Sequence, residues 1–322
     1  MKKITIEDVA KAAGVSRSLV SIAYRGVAGV SEATAEHIFA VGKKLGYVPN
    51  LNAARLASKG LKTIGVFLQD LHNEVFADVY DGIRSVINEA EVQLVLTVGQ
   101  ATVGHDTKAM ETLIASGVDV IIAAGLTMSD SELKRFASRS KLISVTRQCS
   151  GVSSVVANDY LGAKLATQHL ITKQSKVAFL ANPQTDGYRD RYRGYVDAMN
   201  EADLEVMVRE TTYSRVDAES DAKALLELGA KAIFAHNDLA ALGVIDAVIS
   251  AELKPGVDIS VVGFDNTSLS QTPVLALSTV DPKSHELGQN AARLALEALA
   301  QEKLEVTSVK LVPDLKIRST SK

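Results

Sequence analysis

The run Ile4-Thr-Ile-Glu-Asp-Val-Ala-Lys-Ala-Ala-Gly-Val-Ser-Arg-Ser-Leu-Val-Ser-Ile22 holds two short helical patterns separated by Gly14-Val15. Thr5 is placed to cap the first, with Asp8 three positions on, and Val9, Ala10 and Ala13 give it an apolar face. Gly14 permits a sharp turn and Ser16 opens the second helix, where Leu19, Val20 and Ala23 face inward. Gly26 and Gly29 mark a loop; Ser31 starts a third helix whose expected buried positions are Ala35, Ile38, Phe39, Val41 and Leu45, and Gly46 ends it. This is the layout of a helix-turn-helix, whose second helix lies in the DNA major groove.

The charge distribution points the same way. The chain of 322 residues has a net charge of −3, but residues 1–62 carry ten Lys/Arg against four acids, a net +6, which leaves −9 for the remainder. A basic head attracts phosphate and an acidic body does not wrap DNA. With 47% hydrophobic and 23% charged residues the composition is that of an ordinary globular protein. A single cysteine, Cys149, excludes an intramolecular disulfide. The start, Met-Lys-Lys-Ile-Thr-Ile-Glu-Asp, lacks an apolar signal-peptide core, and no run reaches membrane-span length. The expected compartment is the cytoplasm, with no membrane partner.

After the third helix, Pro49 and Gly60 bracket two turns of helix at most, too short to hold alone in water and suited to a hinge that folds on binding. From Lys62 onward apolar strands alternate with helices: Thr63–Leu68, a helix around Phe76–Ala90, then Gln93–Val98, Val118–Ala123, Leu142–Val145, Lys176–Leu180, Ala232–Ala235 and Ser260–Phe264. Such alternation implies parallel sheets covered on both faces. Sets at roughly 62–158 and 160–280 predict two lobes, with ligand sites beyond the C-terminal strand ends.

On the second helix, Arg17, Ser18 and Ile22 lie on the face away from the core. Arg17 can donate a bidentate pair to guanine; Ser18 is permissive; Ile22 can only touch a thymine methyl or exclude bases. Ser16, Ser21, Ser31, Thr34 and Asn50 are placed to bond phosphates. The alternative for these residues is a small three-helix domain with polar caps.

The blocks Thr5–Ser16, Val20-Ser21, Val30-Ser31 and Leu45-Gly-Tyr-Val-Pro-Asn50 resemble the headpiece of the LacI/GalR transcription regulators, and Ala53, Leu56 and Ala57 resemble that family's hinge helix. Thr63–Val66, Arg191-Tyr-Arg-Gly-Tyr195, Ala232–Asp238, Val262-Gly-Phe-Asp265 and Leu277–Val280 extend the resemblance over nearly the whole chain. It implies an all-α helix-turn-helix headpiece (residues 1–48), a hinge (49–61) and an α/β two-lobed, periplasmic-binding-protein-like effector domain (62–322). The N-lobe would comprise about 62–158 plus 283–312, and the C-lobe about 159–282 plus 313–322. It further implies a homodimer on pseudo-palindromic operator DNA, with Leu56 wedged into the central base step. Thr5, Arg25, Tyr47 and Ala53 join the DNA-contacting set on the same ground.

For the effector, the resemblance places contacts at Asn73, Phe76, Arg147, Asn158, Arg191, Asn237 and Asp265, a set suited to a sugar or sugar derivative. Arg147 and Arg191 could equally serve a carboxylate or phosphate. The chain departs from the family pattern in places. The usual Thr-Val-Ser-Arg of the recognition helix is Leu19-Val-Ser-Ile22, and Arg25 replaces the Asn before the closing Gly. In the effector domain, Asn-Pro is Asn73-Glu74, the Asp preceding Arg147 is Thr146, and an Asp-Asn pair is inverted as Asn158-Asp159. An unusual operator and a ligand other than a plain hexose are therefore expected.

The six histidines show no metal-ligand spacing and are expected on surfaces or in loops; no metal or cofactor is expected. No nucleophile elbow or phosphate-binding loop is present, and Cys149 is read as a bystander. The expectation is a ligand-controlled transcription regulator, a repressor, and not an enzyme. Two alternatives remain at this point: a solute-binding protein serving transport, or an α/β enzyme with a DNA-binding appendage.

Overall fold

Thr5 starts the first helix by a reciprocal cap. Its side chain accepts from the Asp8 backbone at 3.4 Å, and the Asp8 carboxylate accepts from Thr5 N–H at 2.8 Å and from its hydroxyl at 2.7 Å. The computed structural model describes residues 4–25, 28–47, 62–88, 90, 92–100, 104–302 and 305–322. The chain divides into two compact units, Met1–Lys62 and Thr63–Lys322.

In the first unit, α1 (Ile6–Ala13) ends at Gly14 in the left-handed conformation. Ser16 caps α2 (Arg17–Arg25) by accepting from Leu19 N–H at 3.1 Å. Ser31 caps α3 (Glu32–Leu45) through Thr34 N–H, and Gly46 closes it. Val9, Ala10, Ala13, Val20, Ala23 and Ile38 form the core. Phe39, expected inside, is 42% exposed instead. Its ring lies on the flank of α3 and meets Tyr24 edge-on at 5.1 Å, because Ile38 already fills the inward position.

The second unit carries β1 (Lys62–Leu68), α4 (Glu74–Ile87), β2 (Val92–Val98), α5 (His105–Ala115), β3 (Val120–Ala124), α6 (Asp130–Ala137), β4 (Lys141–Val145) and β5 (Ser153–Ala157). The chain then crosses to α7 (Asp159–Ile171), β6 (Val177–Ala181), α8 (Tyr188–Glu201), β7 (Met207–Glu210), α9 (Arg215–Glu227), β8 (Ala232–Ala235), α10 (Asp238–Ser250), β9 (Ser260–Phe264) and β10 (Ser278–Asp281). It returns with α11 (Ser284–Ala300) and β11 (Ser308–Leu311), and crosses again to β12 (Asp314–Lys316).

The first sheet has the order β11-β5-β4-β3-β1-β2 and the second β12-β10-β9-β8-β6-β7. The central pairs are parallel, and β12 runs antiparallel to β10. Central strands such as β3 and β9 are buried along their whole length, as the continuous apolar runs require. The strands β5, β7, β10, β11 and β12 were not distinguished in the sequence pattern: Ser153-Ser-Val-Val-Ala157 is part polar, and the other four are short.

Helix α11 packs on α4 so closely that a Cβ on Gly82 would lie 2.0 Å from the His285 carbonyl oxygen, and one on Gly288 2.0 Å from that of Val79. This crossing anchors the returning chain to the first lobe. The parallel strands of both sheets aim their C-terminal ends at the space between the lobes.

Candidate functional site

In the first unit, α2 presents Arg17 and Ser18 to solvent. Arg17 is 3.4 Å from Glu7, an exposed ion pair worth well under about 1 kcal/mol and easily given up to a better anion. Ser18 and Ser16 share a hydroxyl hydrogen bond at 2.9 Å, and Ser31 and Thr34 share one at 2.7 Å. Two of these hydroxyls, Ser16 and Ser31, cap helix starts, where free N–H groups and the helix dipole also favour phosphate. Ile22 is half-buried and packs beside Gly29, and Ser21 is half-buried. Tyr47 meets Tyr24 edge-on at 5.3 Å, which ties its ring to the small core. Asn50, Ala53, Leu56 and the side chain of Arg25 lie outside the described residues.

The second unit builds a cavity from loops that follow the strands: Gln69 after β1, Thr146 after β4, Asp186 after β6, Tyr213 after β7, His236 and Asn237 after β8, and Asp265 after β9. Its volume is about 70 Å³, and it opens into a wider cleft of about 600 Å³. The lobes touch beside it: the Thr146 hydroxyl donates to Asp186 Oδ2 at 3.2 Å, and Glu74 Oε2 accepts from Ser268 N–H at 3.0 Å.

Arg191 is the cation of this cavity. Its Nε donates to Asp159 Oδ1 at 2.8 Å, Nη1 donates to the His236 carbonyl, and the guanidinium carbon lies 3.6 Å from the Phe264 ring centre. Gly187 makes room for the pair, since a Cβ there would stand 2.9 Å from both Arg191 Nε and the Asp159 carboxyl carbon. Asp265 sits at φ +117°, outside the conformations an aspartate readily adopts, and Thr146 at φ +72°. Each costs on the order of 1–3 kcal/mol, strain that collects where a site dictates backbone direction.

Burial dominates the titration of the site. It raises the Asp265 carboxyl well above the usual range, against the pull of Arg191. It raises Asp186 to about 7, opposed by Arg147 and the Thr146 hydrogen bond. It lowers His236 to about 3, aided by Arg191, so this imidazole is neutral and both ring nitrogens are unpaired. The histidines were expected on surfaces or in loops; His236 does lie in the loop after β8, but it is 1% exposed because that loop is inside the fold.

Of the seven residues selected from sequence, Asn73, Phe76, Arg191, Asn237 and Asp265 line this cavity. Asn73 and Asn237 also cap α4 and α10 through Val75 N–H at 3.2 Å and Ala240 N–H at 2.8 Å, which leaves their amide NH₂ groups to donate. Arg147 faces the wider cleft, where Leu126 O, Met128 O and Asp130 hold its guanidinium. Asn158 lines neither space. Its Oδ1 accepts from Leu161 N–H at 3.2 Å to cap α7, so the next residue, Asp159, reaches the cavity in its place. Asp159, Asp186, Tyr213 and His236 were not selected. Asp159 carried a signal in the inverted Asn158-Asp159 pair; Tyr213 lies in an irregular connection with none.

Residues 5–50 match the family described as "Bacterial regulatory proteins, lacI family", and residues 167–321 match "Periplasmic binding protein-like domain". The HTH-type transcriptional repressor PurR of Vibrio atlanticus (strain LGP32) is 30% identical over 329 residues, which cover 99% of this chain and 98% of that protein. The chain belongs to the LacI/GalR family of transcriptional regulators. The ribose operon repressor of Bacillus subtilis (strain 168) is 28% identical over 313 residues, 95% of each chain. The crystal structure of the Lac repressor dimer bound to operator and the anti-inducer ONPF superposes with a TM-score of 0.83 at 26% identity, covering 99% of both chains.

As a LacI/GalR regulator the chain is a DNA-binding transcription factor and not an enzyme, which removes the transport and catalytic alternatives raised by the α/β lobes alone. Among the described residues no helix is long and apolar enough to cross a membrane. Cys149 is buried, and burial raises its thiol pKa, so it is a poor nucleophile in this family member.

Proposed function

We propose that this regulator is a dimeric repressor of the cytoplasm whose operator affinity is set by a sugar or sugar derivative bound between the lobes. The observation that carries the ligand class is the inner cavity. An aromatic face from Phe76 stands with carboxyls from Asp159 and Asp265, amide donors from Asn73 and Asn237, and Arg191. This is the mixture that grips hydroxyls against an apolar ring face.

Arg17, Ser18 and Ile22 read base edges. Thr5, Ser16, Ser21, Arg25, Ser31, Thr34, Tyr47 and Asn50 hold backbone or register, and Ala53 and Leu56 enter the minor groove. Arg147 closes the outer cleft, and Asn158 positions Asp159. Ligand that binds one lobe arrangement better than the other shifts the population toward it, and operator affinity follows by the same coupling. The dimeric, operator-bound state of the Lac repressor and the name of the ribose operon repressor support this assignment.

The test is fluorescence anisotropy with DNA from the protein's own promoter region against random DNA, between about 50 and 200 mM salt, repeated with a panel of sugars. Specific, salt-sensitive binding that at least one sugar changes is the expected result. Equal binding to both DNAs overturns the operator assignment; specific binding that no sugar alters overturns the effector class alone.

A further inference from the structure

We propose that Asp186 makes the cleft selective for an effector bearing a protonated amine beside its hydroxyls, an amino sugar or similar amino-polyol, and that phosphorylated and carboxylated sugars are rejected. This rests on the sugar-effector assignment above and narrows it.

The charges of the inner cavity do not balance. Three carboxyls line it, from Asp159, Asp186 and Asp265, and among the lining residues Arg191 is the cation; burial keeps Asp186 and Asp265 above the ordinary carboxyl range, and an ammonium beside them would favour their charged forms. That cation is already engaged by Asp159 and the His236 carbonyl. Arg147, at the cleft beside Asp186, is held by two backbone carbonyls and Asp130. An anionic ligand could reach the Arg191 Nη2 donors only by standing among three carboxyls, and would meet an Arg147 already paired with Asp130. Arg189 and Lys310 line only the wider cleft.

Beside the Asn73 and Asn237 amide donors, the cavity leaves several acceptors without a donor. The Asp265 residue is 7% exposed, and its carboxyl has no hydrogen-bond partner among the described residues. His236 is 1% exposed, neutral, with both ring nitrogens unpaired, and the Ser284 hydroxyl is buried and unpaired. One Asp186 oxygen takes the Thr146 hydroxyl and the other takes nothing. Of these, the His236 ring nitrogens and the Ser284 hydroxyl are fully buried without partners, which is costly, and with the open carboxyl oxygens beside them they are the atoms a ligand is expected to satisfy. An ammonium brings three donors and one positive charge, which matches both deficits. Asp186 faces Arg147 and Thr146 from the end of β4, Asp159 from α7, Asp106 from α5 and Tyr213 from the loop after β7. Two of those neighbours are acids and one cation is spent on Asp130, so a cationic ligand finds net attraction.

The experiment is a thermal-shift and calorimetric series on the full chain with D-glucosamine, D-galactosamine and D-mannosamine, their parent hexoses and the hexose 6-phosphates. At least one amine is expected to bind about tenfold more tightly than its parent hexose, the size of one charged hydrogen bond. The 6-phosphates are expected not to bind. In Asp186→Asn the ratio of amine to parent-hexose affinity falls to about onefold, whatever the change in hexose affinity itself; operator binding by the variant shows that it folds. Should that variant not fold, the series on the natural chain decides alone. Hexoses or 6-phosphates binding as well as the amines, or an amine advantage that survives Asp186→Asn, overturns the inference and leaves the sugar-effector assignment standing. No binding by any sugar overturns both, while operator recognition is judged separately.

Discussion

Glu74 and Ser268, in different lobes, are joined by a forked contact: one carboxylate oxygen accepts from the Ser268 backbone N–H at 3.0 Å and from its hydroxyl at 2.8 Å. Glu74 is the first residue of α4, so its charge also faces the positive end of that helix. With Thr146 and Asp186 it ties the lobes beside the cavity. A proline at position 74 could not make this contact.

Replacing Glu74 with alanine is expected to favour the open cleft. The contact is half-exposed, so its worth is about 1 kcal/mol, or about fivefold in the open-to-closed ratio. Hydrogen exchange reads this directly at the Ser268 amide, which loses its acceptor. Exchange in segment 266–270 should quicken by about that factor. An unchanged rate there would show that the fork does not hold the lobes.

The pair Arg191–Asp159 is more deeply placed, with side chains only 13% and 11% exposed. Asp159→Asn leaves Arg191 buried against a neutral partner and is expected to lower unfolding free energy by about 3 kcal/mol. The double change Arg191→Met with Asp159→Leu removes both charges and should recover most of the loss. Urea denaturation measures both variants. Equal destabilisation of the single and double variants would mean that the pair acts through shape and not charge.

The fold was legible because its signals are local. Thr5, Gly14, Ser16, Ser31 and Gly46 each announce a helix end, and the central strands are continuous apolar runs. Less of the cavity was legible. Asp159 and Asn158 are neighbours in sequence, and only the helix start decides which becomes a cap and which turns inward. His236 looked like a loop residue, because nothing near it reveals that Arg191, 45 positions earlier, would lie against its carbonyl. Charge balance is similarly non-local: Arg147 reads as an anion receptor until Asp130 is seen occupying it.

His236 predicts an acid-sensitive fold. Its pKa falls from 6.5 to about 3 on burial, so the folded state holds the neutral ring while the unfolded chain takes up a proton below 6.5. The stability it confers is complete above 6.5 and is lost as pH falls toward 3. Between pH 6.5 and 5 that amounts to about 2 kcal/mol at about 1.4 per unit. Asp238, raised to about 6 by burial against the opposing hydrogen bonds from Thr279 and Thr267, works in the opposite direction: its contribution is full below 3.8 and is lost as pH rises through 6. Asp186, raised to about 7, adds to that opposing slope. The measurement is the urea midpoint at pH 5 and 7 in the natural chain and in His236→Leu. The variant should gain stability at pH 5 relative to pH 7 compared with the natural chain. Parallel pH slopes in the two proteins would rule out His236 as the titrating group.

Under the proposed function, Arg17 and Ile22 are expected to divide the reading of DNA unequally. Arg17 is exposed, and the loose contact with Glu7 at 3.4 Å leaves its fork available to guanine. Arg17→Ala is expected to cost about 1–3 kcal/mol at one base pair and to flatten preference there, with little change elsewhere in the site. Ile22 packs beside Gly29 and offers only methyl groups, so its position should favour thymine or tolerate several bases. Ile22→Arg should create a new guanine preference one helical turn along α2. Selection of bound sequences from a random pool, run on all three proteins, reports both changes. If Ile22→Arg returns the same sequence logo as the natural chain, residue 22 does not face the groove and base reading belongs to Arg17 and Ser18.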